Sequence, residues 1–173
     1  MNDKPTTLID QSDISNPNLV SAFFKNAASQ GGNPLLFHKK KRTWIRTTWN
    51  EVGEAIKRLS GALVAAGVQP HDRVMICSEN RPEWDIADLA IMAIGAIVVP
   101  AYTTNTEDDH VYIMEHSGAV VIITSGGILG NRVALAASRV PNIRMLITMD
   151  PGTILPDLAA TNVHTWQSLL NST

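Results

Sequence analysis

The stretch from Val74 to Pro100, V-M-I-C-S-E-N-R-P-E-W-D-I-A-D-L-A-I-M-A-I-G-A-I-V-V-P, constrains the fold more than any other part of the chain. It reads as strand, tight turn, helix, strand. Val74 to Cys77 is a short apolar run, followed by the turn Ser78-Glu79-Asn80. Asn80 is placed to cap the helix by accepting a hydrogen bond from a free N–H of the first turn. Glu83, three residues on, is placed to reach back as in a capping box. Pro82 falls in the first turn, where a missing N–H costs nothing. Glu83 and Asp85 put negative charge at the positive end of the helix dipole. The helix runs to about Ile94, with Gly95 just past its end. It is apolar nearly all round apart from Asp85 and Asp88, which predicts extensive burial. Ile97, Val98 and Val99 then form a β-branched strand. Such a βαβ unit carries parallel strands and a right-handed crossover.

The flanking segments extend the same alternation. Residues 1 to about 17 are polar and lack a period, so they read as a loose arm ahead of a single domain over 18–173. Asn18 to Ser29 reads as a short helix ended by Gly31-Gly32-Asn33-Pro34. Leu35–His38 and Thr43–Thr47 read as two strands around the basic tip Lys39-Lys40-Lys41-Arg42. A tip of this kind is a solvated turn, unless it meets phosphate groups. Thr48 and Glu51 form a capping box. Val52, Ala55, Ile56, Leu59, Ala62, Leu63 and Ala66 then recur at helical spacing up to Gly67. Thr106 and Asp109 make another capping box, for a helix ending near Ser117-Gly118. Val120–Thr124 and Arg144–Met149 read as strands, Asn131–Arg139 as a helix, and Trp166–Leu170 as one or two helical turns. The predicted fold class is α/β: a mainly parallel sheet with helices on both faces. A small antiparallel hairpin near the N-terminus adds antiparallel character at one edge.

Composition narrows the function classes. Hydrophobic residues make up 45% and charged residues 17% of the 173, which is globular. A formal net charge of −2 gives no global electrostatic case for nucleic acid. The single cysteine, Cys77, excludes an intrachain disulfide and a cysteine-based zinc site. No apolar h-region opens the chain, and the apolar run Leu89–Tyr102, interrupted by Gly95 and Pro100, falls short of the roughly 20 residues of a membrane helix. The expected location is cytoplasmic.

Candidate chemistry is sparse. Ser125-Gly126-Gly127-Ile128-Leu129-Gly130 follows a strand and precedes a helix, with Asp150 standing 20 residues past Gly130. A dinucleotide fingerprint wants a glycine where Ser125 stands, so a flexible strand-to-helix loop is the competing reading. Cys77 ends a strand beside a helix start that lowers a thiol pKa, but no histidine is near it in sequence, and a buried structural cysteine is the simpler reading. His38, His71, His110, His116 and His164 show no metal spacing. Glu79, Glu83, Asp85 and Asp88 read as helix-start charge and a solvated stripe, with Arg81 pairing Asp85 at i,i+4.

S-E-N-R-P-E-W, the apolar helix behind it, G-A-I-V-V-P and Tyr102-Thr103-Thr104 together resemble the N-terminal region of adenylate-forming acyl-CoA ligases, closest to the long-chain fatty acid type, over about Leu35 to Thr124. The resemblance implies a reaction in which a carboxylate and ATP give an acyl adenylate and pyrophosphate, after which the thiol of CoA displaces AMP. It implies ATP, magnesium and CoA for the full-length family, and a fatty acid as substrate. The family's phosphate loop, rich in Gly, Ser and Thr and ending in Pro-Lys-Gly, has no counterpart in this sequence. Its ribose-binding aspartate and catalytic lysine belong to regions later than Thr173. No catalytic residue is therefore carried over, and this chain alone is expected to bind none of these cofactors and to be inactive without the remainder of the ligase. Tyr102, Thr103 and Thr104 match the family's loop at the sheet edge and are the candidates for lining a substrate cavity. A peripheral membrane contact and a homodimer stay open as partners. The alternatives are a non-catalytic interaction module and a dinucleotide-binding domain.

Overall fold

A computed structural model describes residues 18–153 and 162–171. The expected loose arm lies outside the described residues. The chain runs α1 (Leu19–Gln30), β1 (Pro34–Lys40), β2 (Thr43–Thr48), α2 (Trp49–Ala65), β3 (Arg73–Cys77), α3 (Pro82–Ala93), β4 (Ile97–Pro100), α4 (Glu107–Ser117), β5 (Val121–Thr124), α5 (Gly127–Ser138), β6 (Met145–Thr148), β7 (Asn162–Thr165) and α6 (Trp166–Leu170).

Five strands make one sheet in the order β4-β3-β5-β6-β7, and every neighbouring pair is parallel. After β3 the chain steps outward to β4. It then returns past β3 to lay down β5, β6 and β7 on the other side. The direction of winding therefore reverses between β3 and β5. Side chains alternate across the sheet as pleating requires. Val74, Ile76, Val121, Ile123, Met145 and Ile147 point into one core layer with Ile56, Leu59 and Leu63 of α2 and Ala87, Ala90 and Ile91 of α3. Met75, Cys77, Ile122 and Leu146 point into the other, against Met114 of α4 and Val133, Ala134 and Ala137 of α5. Both faces are thus covered, which explains why β3, β5 and β6 are almost wholly apolar.

Local signals set most boundaries. Thr48 and Glu51 close a full capping box on α2, and Thr106 and Asp109 close one on α4. Asn18 caps α1, its Oδ1 accepting from the Ser21 N–H at 2.8 Å. Gly95 follows α3 with φ +75°, a left-handed conformation that glycine adopts without steric cost.

Several expectations need correction. The hairpin β1–β2 is a separate two-stranded sheet rather than an edge of the main one. The N-cap of α3 is Arg81, without a side-chain cap bond, and not Asn80. Glu83 instead accepts from Arg81 Nε at 2.9 Å, so neither the predicted box with Asn80 nor the Arg81–Asp85 pair forms. Helix α5 starts at Gly127, four residues before Asn131, which turns the supposed flexible loop into a short turn and the first helical turn. Strand β7 has no strand signal of its own: its N-V-H-T sequence carries one apolar residue, and its pairing comes from the open edge of β6. Helix α3 also buries fully only Ile86, Ala87, Ala90 and Ile91, fewer than its composition suggests.

Candidate functional site at the carboxyl edge of the sheet

In an open parallel sheet, the carboxyl ends of the strands on either side of a winding reversal diverge and leave a crevice. Here those ends are Cys77-Ser78-Glu79 of β3 and Thr124-Ser125-Gly126 of β5. The turns after β4 and β6 flank them.

One carboxylate ties three of these turns together. Asp150, just past β6, accepts from the Gly126 N–H through Oδ2 at 2.7 Å and from Arg81 Nη1 through Oδ1 at 2.8 Å. Arg81 also donates to Glu83, so the guanidinium bridges two carboxylates. Thr153 Oγ1 donates to the Asp150 carbonyl at 2.9 Å and holds the turn that carries the aspartate. Partial burial alone would raise the Asp150 pKa, but the Gly126 N–H and the Arg81 charge outweigh it and hold the carboxyl below its usual range. Glu83 is lowered on the same balance, with Arg81 overcoming burial. The anion-binding start of α5 is thereby filled by the protein's own carboxylate.

The loop after β4 is held from two sides. Arg132 Nη1 donates to the carbonyls of Thr103 and Asn105, at 3.3 and 3.0 Å. The Cys77 thiol lies 3.7 Å from the Tyr102 carbonyl. Between this loop and the turn after β3 lies a cavity of about 520 Å3, lined by Ser78, Glu79, Asn80, Trp84, Pro100, Ala101, Tyr102 and Thr103. Tyr102 is 81% exposed. Of the three sequence candidates, Tyr102 and Thr103 line this space, while Thr104 lies outside its lining.

Beneath the loop sits a buried polar pair. His110 of α4 is fully buried, with Nε2 3.9 Å from Cys77 Sγ. The fold thus supplies the histidine that sequence proximity did not. It does not activate the thiol: burial, reinforced by the Glu79 charge, pushes Cys77 up to about 12. Burial and the charge of Arg132 lower the histidine. A neutral imidazole beside a protonated thiol is structural.

Among the described residues, groups able to hold a triphosphate or its magnesium are not assembled on this edge. The glycine turn before α5 has its leading N–H occupied by Asp150, no lysine stands in it, and Glu79, Glu83 and Asp150 make the edge acidic. Among the described residues no cluster of three or more His, Cys, Asp or Glu has metal-binding geometry. With Asp150 already engaged, the dinucleotide reading also loses its ribose partner. Arg81, Arg132, His110 and the capping role of Asp150 had no local sequence signature, because each acts on a residue more than 25 positions away or, for Asp150, 24 positions away.

Comparison with known proteins places this geometry. The long-chain-fatty-acid–CoA ligase FadD15 of Mycobacterium tuberculosis is 35% identical over 104 residues, which cover 60% of this chain and 17% of that protein. A propanoyl:CoA ligase of the same organism, whose acyl group carries a methyl-dioxo-octahydro-indenyl ring system, is 38% identical over 115 residues, 62% of this chain and 22% of that protein. The chain therefore spans about a fifth of these relatives' length or less. The acetoacetyl-CoA synthetase of Streptomyces lividans superposes with a TM-score of 0.76 at 24% identity, covering 87% of this chain and 24% of that one, and so shares the fold. Residues 23–167, from α1 through β7 into the start of α6, match the model of the AMP-binding enzyme family, and the chain belongs to that family.

Proposed function

We propose that residues 18–173 act as one unit, the N-terminal part of an ATP-dependent ligase that joins a long-chain fatty acid to CoA through an acyl adenylate. The observation that carries this reading is the 35% identity to a long-chain ligase over 104 residues, 60% of this chain. The cavity between the β3 and β4 turns supports it, being walled by Trp84, Pro100, Ala101 and Tyr102 beside the polar Ser78, Asn80 and Thr103. Tyr102, Thr103 and Thr104 are proposed to line the acid's path, with Arg132 fixing the loop that carries them. ATP, magnesium and CoA are bound by the complete enzyme rather than by these residues, whose donor set does not fit a triphosphate. On this reading the chain alone does not catalyse the reaction.

Acid-dependent exchange of pyrophosphate into ATP tests both parts. The 173-residue chain alone gives no exchange, and exchange would overturn the proposed incompleteness. Grafted in place of the matching segment of the mycobacterial long-chain ligase, it supports exchange with a long-chain fatty acid and not with benzoate. A graft that folds but accepts only short or aromatic acids would overturn the assigned acid class.

A further inference from the structure

The β1–β2 hairpin carries an exposed face of mixed aromatic and basic residues. Its register pairs Phe37 with Arg46, His38 with Ile45, and Lys39 with Trp44. Directly paired residues share a face, so Phe37, Lys39, Trp44 and Arg46 lie together on one side of the ribbon. All four are exposed, Phe37 at 62% and Trp44 at 67%. On the opposite face Leu36, His38 and Thr47 are half-buried, while Ile45, Lys40 and Thr43 nearer the tip are exposed. An exposed sheet face is ordinarily polar; this one is built of aromatics alternating with cations, and Phe37, Lys39 and Trp44 border a cavity of about 760 Å3 whose far wall carries Glu79 and Glu83.

Charge is segregated onto the same element. Residues 34–48 contain Lys39, Lys40, Lys41, Arg42 and Arg46 and no acidic residue, in a chain whose formal net charge is −2. None of these five side chains forms an ion pair within the described residues. The tip is a tight turn in which Lys41 takes a left-handed backbone, φ +57°; Lys41 and Arg42 project beyond the last strand pair, Lys40–Thr43, with Lys39 and Lys40 on the strand leading into it. Exposed aromatic rings beside unpaired lysines are suited to the interface of an anionic bilayer. There the rings settle at the headgroup level and the cations meet phosphate.

We propose that this hairpin is a membrane-contact element that docks the protein on anionic lipid surfaces, with Trp44 and Phe37 inserted at the interface and Lys39–Arg42 and Arg46 held against lipid phosphates. A soluble polyanion satisfies the cations but leaves both rings without a partner, so the lipid surface fits the whole face. The proposal does not depend on the acid class of the ligase.

Vesicle co-sedimentation of the 173-residue chain tests it, with phosphatidylcholine vesicles containing or lacking phosphatidylglycerol. The chain is expected to sediment with the anionic vesicles, to stay in solution with pure phosphatidylcholine, and to be released by salt. Lys39→Ala, Lys40→Ala, Lys41→Ala and Arg42→Ala together lower the partition coefficient on the order of a thousandfold. Trp44→Ser weakens binding without changing its salt dependence. A direct measurement on the unmodified chain is independent of how these variants fold. Of the four tryptophans only Trp44 is exposed, so vesicles with brominated acyl chains quench its emission, and Trp44→Phe abolishes that quenching. Absence of binding to anionic vesicles overturns the proposal. So does binding retained by the folded alanine variant, or binding to heparin or duplex DNA with no bromine quenching on vesicles.

Discussion

Asp150 is the residue on which the carboxyl edge depends. Its carboxylate satisfies the first free N–H of α5 and pairs with Arg81, so replacing it leaves a helix-start donor without its partner and the half-buried guanidinium with Glu83 alone. Asp150→Ala is expected to cost about 1–2 kcal/mol, toward the lower end because the side chain is 38% exposed and solvent screens the ion pair. The urea midpoint measures this. The Asp150 carboxyl titrates below its unfolded value, so its contribution is complete above about pH 4 and fades as pH falls through the folded pKa. The gap between wild type and Asp150→Ala therefore closes on acidification below about pH 4, and a gap that persists there would show that lost packing, not charge, sets the cost. Glycine matters at two positions for different reasons. Gly95 is left-handed, and a Cβ on it would lie 3.4 Å from Pro70 Cβ; Gly95→Val should destabilise by about 1–2 kcal/mol. At Gly130 a Cβ would come 2.5 Å from the Ser125 carbonyl oxygen, backbone that cannot step aside, so Gly130→Ala should cost at least as much despite the better helix propensity of alanine. An unchanged thermal midpoint in either variant would show that the backbone there yields.

At the scale of elements, Asn80 separates the local reading of the sequence from the folded one. The sequence argues that Asn80 caps α3 with Glu83 reaching back, which would make Asn80→Ala cost about 1 kcal/mol. In the structure the helix starts at Pro82, Asn80 is exposed, and Glu83 is held by Arg81. Asn80→Ala is therefore expected to leave the denaturation midpoint unchanged within about 0.5 kcal/mol. A loss near the full value of a cap would restore the local reading. The contrast marks what was legible in advance. Elements whose start, period and stop lie within one segment were readable: α2, between the Thr48–Glu51 box and Gly67, and α4, between Thr106 and Gly118. So were strands buried on both faces, such as Val121–Thr124. Elements completed from elsewhere were not. The start of α5 is capped from 24 residues away, and β7 exists only because β6 offers an unpaired edge. The site followed the same rule. Local order alone puts the loop Tyr102-Thr103-Thr104 at a strand end, whereas Arg132 and Asp150, which hold the edge together, act on residues at least 24 positions away.

For the molecule as a whole, the winding reversal between β3 and β5 makes β3 the strand that cannot loosen alone. It pairs with β4 on one side and β5 on the other, and its side chains serve both core layers, Val74 and Ile76 in one and Met75 and Cys77 in the other. Cys77 ends this strand, fully buried beneath the loop that Arg132 clamps, with its thiol pushed up to about 12. Reaction of this thiol with a disulfide reagent at neutral pH thus requires the sheet to open, not a loop to fray. Labelling in the absence of denaturant should be slow and should follow the population of globally unfolded chains. Its dependence on urea should carry the same slope as the loss of helical circular dichroism. Arg132→Ala frees the loop over Cys77 without touching the strand pairing, so it should leave that slope unchanged. Labelling that becomes fast and independent of urea in Arg132→Ala would instead show that the loop alone guards the thiol. The cavity wall beside Tyr102 and Thr103 would then be a movable element rather than a rigid part of the sheet edge.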